Sequence, residues 1–145
     1  MMPNRPAVIA ALATVALFSG CRATDARLIG KWRSNGPLSV PTFPHRQQLT
    51  AEKRAFFDGM FGRLTVTYSE RYCESELPPK HDEEPSRQRI VYRVIASDAD
   101  SVTIELKDAP TGHDITNLIH FVGPNRYWIS VGDRGGREYF DRLSE

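Results

Sequence analysis

The chain has 145 residues, with 19 Lys and Arg against 18 Asp and Glu, a formal net charge of +1. That balance leaves no electrostatic footprint for nucleic acid and no bulk grip on anionic lipid. The length suits one domain with one modest core, and neither internal repeats nor a second domain are visible.

In chain order, Arg5 comes first and is followed by an uncharged apolar run from Ala7 to Phe18. This is a basic n-region and an h-region of signal-peptide length, too short to span a bilayer comfortably. Ser19 and Gly20, two small residues directly before Cys21, resemble the lipobox of bacterial lipoprotein signal peptides. Phe18 stands where that family prefers Leu. The resemblance implies removal of residues 1–20, a diacylglyceryl group on the Cys21 thiol and an acylated new amino terminus. Arg22 follows the cysteine where the family's inner-membrane retention signal is usually Asp, which implies an outer-membrane anchor facing the periplasm. Two acyl chains, at about 0.8 kcal/mol per buried methylene, make a stable anchor. Read without the resemblance, the same stretch leaves two alternatives. Cys21-Arg22-Ala23 would serve ordinary signal cleavage as a small-x-small site, and the apolar run would suit a buried helix.

Arg5 is the only charged residue among the first twenty, so the remainder carries 18 residues of each sign. With Cys21 taken by lipid, Cys73 has no intramolecular partner. It is expected to be buried as a small apolar residue, the alternative being exposure and pairing with another chain. Residues 21–27 are expected to form the lipidated N-terminus and a polar tether, and 28–145 the folded domain.

Leu28 to Ser34 predicts a first strand. Gly36, Pro37, Pro41 and Pro44 then predict an extended loop or edge segment. Leu49 to Phe61 has helical period, with Leu49, Phe56 and Met60 on one face and Phe57 and Phe61 flanking it. Thr50 is its expected N-cap, Glu52 lies in the first turn and Gly62 is its expected stop. Such a helix is suited to covering a barrel end or a sheet face. Leu64, Val66 and Tyr68 alternate with Thr65, Thr67 and Ser69 as a half-buried strand. Residues 76–88 are polar and proline-bearing and predict an exposed loop. Further strands are expected around Ile90–Val94, Val102–Lys107, Ile115–Val122, Tyr127–Val131 and Glu138–Leu143, with short turns between them. About seven short strands joined mostly by short turns make a mainly β antiparallel meander, which stacks as a sandwich or closes as a barrel.

Gly30-x-Trp32 opens the first strand and Tyr139-Phe140-Asp141-Arg142 closes the last. This resembles the lipocalin (calycin) arrangement, although the family's middle Thr-Asp-Tyr-type motif is not evident. The resemblance implies a small lipocalin-like β-barrel with one short helix after the first strand. It also implies that Trp32 plugs the closed end and that a basic residue packs over its indole. Arg142 best matches that residue, with Arg137 in reserve. An arginine over an indole face gains about 1 kcal/mol or more when desolvated.

No constellation calls for a catalytic group, metal or cofactor. His113 and His120 are separated by an odd number of residues, which puts them on opposite faces of a strand. His81-Asp82-Glu83-Glu84 lacks the glycine turn of a calcium loop, and neither a Gly-x-Ser-x-Gly elbow nor a phosphate-binding glycine loop is present. The aromatic residues say more, because Tyr68, Tyr92, Tyr127, Trp128, Tyr139 and Phe140 all fall on predicted strands. If the sheet closes, Val66, Tyr68, Tyr92, Ile104 and Tyr127 are expected to line a cavity for an apolar or amphipathic ligand; the alternative is that they fill the core. The expected function is an outer-membrane-anchored periplasmic lipoprotein, attached to the membrane through lipid on Cys21. Its barrel would bind a small hydrophobic ligand. The alternative is a structural lipoprotein that contacts another envelope protein and has no ligand.

Overall fold

The computed structural model describes residues 24–79, 83–107 and 112–144. The signal-like segment 1–20, Cys21, the His81-Asp82 pair and the Pro110-Thr111 turn lie outside the described residues. Eight strands form among the described residues: β1 (Gly30–Ser34), β2 (Thr65–Tyr68), β3 (Tyr72–Leu77), β4 (Ser86–Ser97), β5 (Ser101–Lys107), β6 (Asp114–Phe121), β7 (Arg126–Val131) and β8 (Gly136–Arg142). Each pairs antiparallel with its neighbours in sequence, and β8 returns to β1, so the sheet is a closed barrel. Closure removes the sheet edges that an open meander would leave unpaired.

Alternation decides what faces inward. Trp32, Val66, Tyr68, Cys73, Tyr92, Val94, Val102, Ile104, Ile119, Tyr127 and Phe140 make one buried cluster, together with Leu28 from the turn before β1. Their neighbours along each strand point to solvent.

The strand β3 was not expected, and the two ends of the segment predicted to be an exposed loop, Glu76–Leu77 and Ser86–Gln88, form the end of β3 and the start of β4. Its pattern is weak because Cys73 is its only buried residue. What pairs it to β4 is charge opposite charge on the outer wall. Arg89 donates to Glu74 at 2.9 Å, and Arg87 lies 3.4 Å from Glu76. Opposed ions across a ladder contribute modestly, enough to set register on a polar strand.

The predicted extended segment after β1 is instead a short helix, α1 (Gly36–Ser39), running into 3-10 turns at Val40–Thr42 and Arg46–Gln48. Asn35 caps α1 by accepting from the Leu38 N–H, and Pro37 sits in the first turn, where its missing N–H costs nothing. This segment has a specific task. β1 ends at Ser34, opposite Phe140, so the upper part of β8 has no strand on that side. Ser39 Oγ accepts from the Tyr139 N–H at 2.8 Å, Thr42 Oγ1 accepts from the Arg137 N–H at 2.8 Å, and the Asn35 N–H reaches Tyr139 O at 2.7 Å. Side-chain hydroxyls thus stand in for the missing ladder partner.

The longer helix, α2 (Ala51–Asp58), is capped by Thr50 as expected but ends at Gly59 instead of Gly62. Its contact face is also rotated from the predicted one. Phe57 and Phe61 meet Phe43, with ring centroids 5.0 and 4.9 Å away, whereas Phe56 and Met60 are exposed. The aromatic partner lies in the loop segment, which helical periodicity alone does not register.

Replacing Ser39, which is fully buried, by Ala leaves the Tyr139 N–H without its acceptor. We expect Ser39→Ala to cost about 1–3 kcal/mol in chemical denaturation. A loss below about 0.3 kcal/mol would show that water reaches this edge.

Candidate functional site

The barrel has two unlike ends. At one, Trp32 donates from Nε1 to the Leu28 carbonyl at 2.8 Å and meets Tyr127 edge-on at 4.7 Å, while Tyr127 stacks on Phe140 at 4.9 Å. The Arg142 guanidinium lies over the Trp32 ring, 4.1 Å from its centroid, and donates to the carbonyls of Ile29 (2.7 Å), Arg27 (2.6 Å) and Pro124 (3.3 Å). Arg137, on the outer wall, lies instead over Trp128. The first glycine of Gly30-x-Trp32 has a physical reason. It has φ +130°, and a Cβ there would come within 2.7 Å of Arg142 Nη1.

Residues 24–27 fold against this closed end. Asp25 accepts from Arg27 Nη2 at 2.9 Å and from Ser97 Oγ at 2.8 Å, and Thr24 Oγ1 lies 3.3 Å from the Tyr92 hydroxyl. The Arg27 side-chain hydrogen bonds hold the Asp25 carboxyl at about 2, well below the usual range, against an opposing effect of burial.

At the other end the inward-facing positions are progressively exposed. On β6, exposure rises from 0 % at Ile119 to 46 % at Ile115, and on β3 from 8 % at Cys73 to 38 % at Leu77. On β4, Tyr92 is buried, Ile90 half-buried and Gln88 exposed. All are inward positions by register, since Cys73 opposes Ile90 and Ser75 opposes Gln88. The barrel is therefore filled below and open above, with Leu106, Asn117 and Ile129 half-buried around the transition.

The α1–α2 segment roofs only one sector of this mouth. The Phe43 ring occupies the space into which a Cβ at Gly136 would project, so glycine is needed there. A cavity of about 390 Å³ lies between the roof and the β7–β8 hairpin, lined by Phe43, Pro44, Leu49, Phe57, Val131 and Gly136, with His45, Arg46, Asp133 and Arg134 also on its wall. Val131 and Gly136 belong to the inward alternation, so this cavity is part of the mouth. Arg46 is already engaged, donating to both Asp58 oxygens at 2.6 Å.

The five residues expected to line a cavity, Val66, Tyr68, Tyr92, Ile104 and Tyr127, lie deeper than the mouth and pack together at 9 % exposure or less. Burial pushes the Tyr68 and Tyr127 hydroxyls up, so both stay neutral. Cys73 is buried and free, and burial pushes its thiol up to about 11, which makes it a poor nucleophile. His120 stacks on Trp128 on the outer wall, 3.9 Å between centroids. Among the described residues, no group of three His, Cys, Asp or Glu side chains could hold a metal ion.

Sequence reasoning missed one inward-facing group, Glu138. Lying two residues before the buried Phe140, it shares that residue's face, and its Oε1 accepts from Ser34 Oγ at 2.6 Å. Burial pushes its carboxyl up, with the Ser34 hydrogen bond acting in the opposite direction. Placing Phe140 in the core would have found it, because strand alternation then turns Glu138 inward as well.

No protein-family model matches the chain, and no curated protein matches it. Among solved structures it is similar to a Schistosoma mansoni fatty acid binding protein in complex with arachidonic acid. Identity is 12%, the match covers 82% of this chain and 98% of that one, and the TM-score is 0.38. A likeness at this level says nothing of what this barrel binds.

Two outcomes test the closed end. Trp32→Ala should cost about 3–5 kcal/mol in denaturant unfolding, and a loss under about 1 kcal/mol would show that the ring is no plug. Asp25 has a folded pKa of about 2 against an ordinary 3.8, so its contribution is present above that ordinary value and is lost as pH falls through about 2. Asp25→Asn should therefore lower stability at neutral pH, with the gap to the parent chain closing as unfolding is measured toward that acid limit. A gap independent of pH would contradict the ion pair.

Proposed function

We propose that this chain is a binding module for a small hydrophobic or amphipathic ligand, held in the barrel's mouth. The observation that carries the reading is the graded filling of the interior. A barrel that had only to fold would pack its inward face to crystal-like density throughout. Here Leu77 and Ile115 face inward yet remain exposed, and elsewhere in the mouth, between the roof and the β7–β8 hairpin, lies a largely apolar cavity of about 390 Å³, within the range of small-molecule sites. No catalytic step is part of this reading.

The address is proposed from the sequence alone: a lipid on Cys21 and an outer-membrane anchor facing the periplasm. Thr24 contacts the closed end, and three residues span at most roughly 11 Å. Such an anchor would hold the barrel by its plugged end and leave the mouth away from the membrane surface. A second reading, contact with another envelope protein, draws on the outer wall, where Tyr72 and Val91 are exposed opposite each other and Ile95 is exposed further along β4.

Nile red, an uncharged apolar dye, should bind the purified chain saturably. Ile115→Trp should weaken that binding at least about tenfold while moving stability by less than about 0.5 kcal/mol, because the position is exposed at the mouth. Unsaturable dye binding, or equal binding by Ile115→Trp, would remove the mouth as the site and favour the outer wall.

A further inference from the structure

Glu138 is an acid on the inward face of the barrel, above a core whose polar groups include the Tyr68, Tyr92 and Tyr127 hydroxyls and the Cys73 thiol. It projects from β8 one inward step below Gly136 and one above Phe140. Its Oε1 is held by Ser34 Oγ, and Ser34 is itself fixed, since its oxygen accepts from the Gly62 N–H at 2.9 Å. No described residue bonds the second carboxylate oxygen, yet that oxygen is not sealed in the core. Four arginines are engaged elsewhere: Arg126 with Asp141, Arg46 with Asp58, Arg137 with the outer face of Trp128, and Arg142 with the backbone carbonyls beneath Trp32; Arg134, on the cavity wall, makes no hydrogen bond or ion pair to Glu138. A half-buried carboxylate with one free oxygen and no cation bonded to it has the character of half an interaction.

Resting on the mouth as the binding site, we propose that Glu138 anchors the polar end of the ligand and selects an amphiphile whose head donates hydrogen bonds, specifically a long-chain alkyl amine, over a fatty-acid anion. An ammonium group donates to the free oxygen and neutralises the carboxylate, whereas a second carboxylate would meet like charge in a poorly solvated space. The apolar wall formed by Leu106, Ile115 and Ile129 would then take the alkyl chain. Burial raises its carboxyl pKa, with the Ser34 hydrogen bond acting in the opposite direction, and a donor that neutralises the carboxylate would relieve that cost.

The test is displacement of Nile red from the purified full chain by tetradecylamine, tetradecan-1-ol and tetradecanoate, which share one chain length, each below its micelle concentration. The amine should displace the dye at concentrations about tenfold lower than tetradecanoate. Glu138→Gln, which keeps the shape and still accepts from Ser34, should shrink that lead to less than about twofold while dye affinity stays unchanged. Glu138→Met, apolar and of similar length, should do the same and serves if the Gln variant folds poorly. Equal displacement by amine and carboxylate, or an amine lead that survives both variants, overturns the Glu138 assignment and leaves the mouth intact. Failure of the dye to bind the parent chain overturns both.

Discussion

A guanidinium partly stripped of water must find acceptors, and Arg142 finds them in backbone carbonyls that exist only once the chain has come full circle. The Ile29 and Arg27 carbonyls belong to the entry into β1, and Pro124 to the β6–β7 turn. Arg142 itself is the last residue of β8 and pairs in register with Trp32. One side chain therefore joins the first strand, the last strand and a turn between, over a ring that fills the barrel's end. A partly desolvated charge is costly unless its donors are placed. That makes the arrangement selective for one closure register: a slip of a single residue would turn Arg142 outward and Trp32 away from it.

Much of this closed half could be read from the chain. Val66, Tyr68 and Ile104 declare themselves by alternation, which is strongest where one face is fully buried, while Trp32 is picked out by the Gly30-x-Trp32 resemblance and Tyr127 as an aromatic on a predicted strand. The open half was less legible for the same reason. A mouth needs inward positions that are not fully apolar and not fully covered, so Ser75, Gln88 and Asn117 weaken the period where the site begins. β3 shows the extreme, with a pairing set by Glu74–Arg89 and Glu76–Arg87 across the ladder, a relation between distant residues that no local window contains. The roof was misread as loop and misoriented as helix because its partners, Phe43 for α2 and the β8 edge for Ser39 and Thr42, lie outside each segment.

The two halves also differ in how firmly they are held. Below, aromatic stacking, the half-buried Arg142 over Trp32 and the Asp25–Arg27–Ser97 clasp concentrate the interactions that resist unfolding. Above, short hydroxyl bridges and a cluster of three phenylalanines hold a roof whose longer helix buries no residue completely. Elements with few buried contacts open at lower free-energy cost than the core, and ligand entry requires such an element. A roof of this kind can yield without loosening the plug.

Glu138 belongs to the boundary between those halves, and its position is hard to explain by stability alone. A Leu or Met there would bury apolar area at no electrostatic cost, and Ser34 could still accept from the Gly62 N–H without donating to a carboxylate. Keeping an acid at this point costs folding free energy through desolvation, which the raised carboxyl pKa registers. Ser34 offsets part of that cost by donating to one oxygen, and in doing so fixes the carboxylate's orientation with the other oxygen left over. A residue that is unfavourable for the empty barrel, held rigidly by a neighbour and lacking a bonded cation, is what pre-organised recognition of a hydrogen-bond-donating head requires. Under the proposed anchoring role the same feature would act against fatty-acid anions, so that one carboxylate, and not the apolar wall, would sort amphiphiles by the charge of their heads.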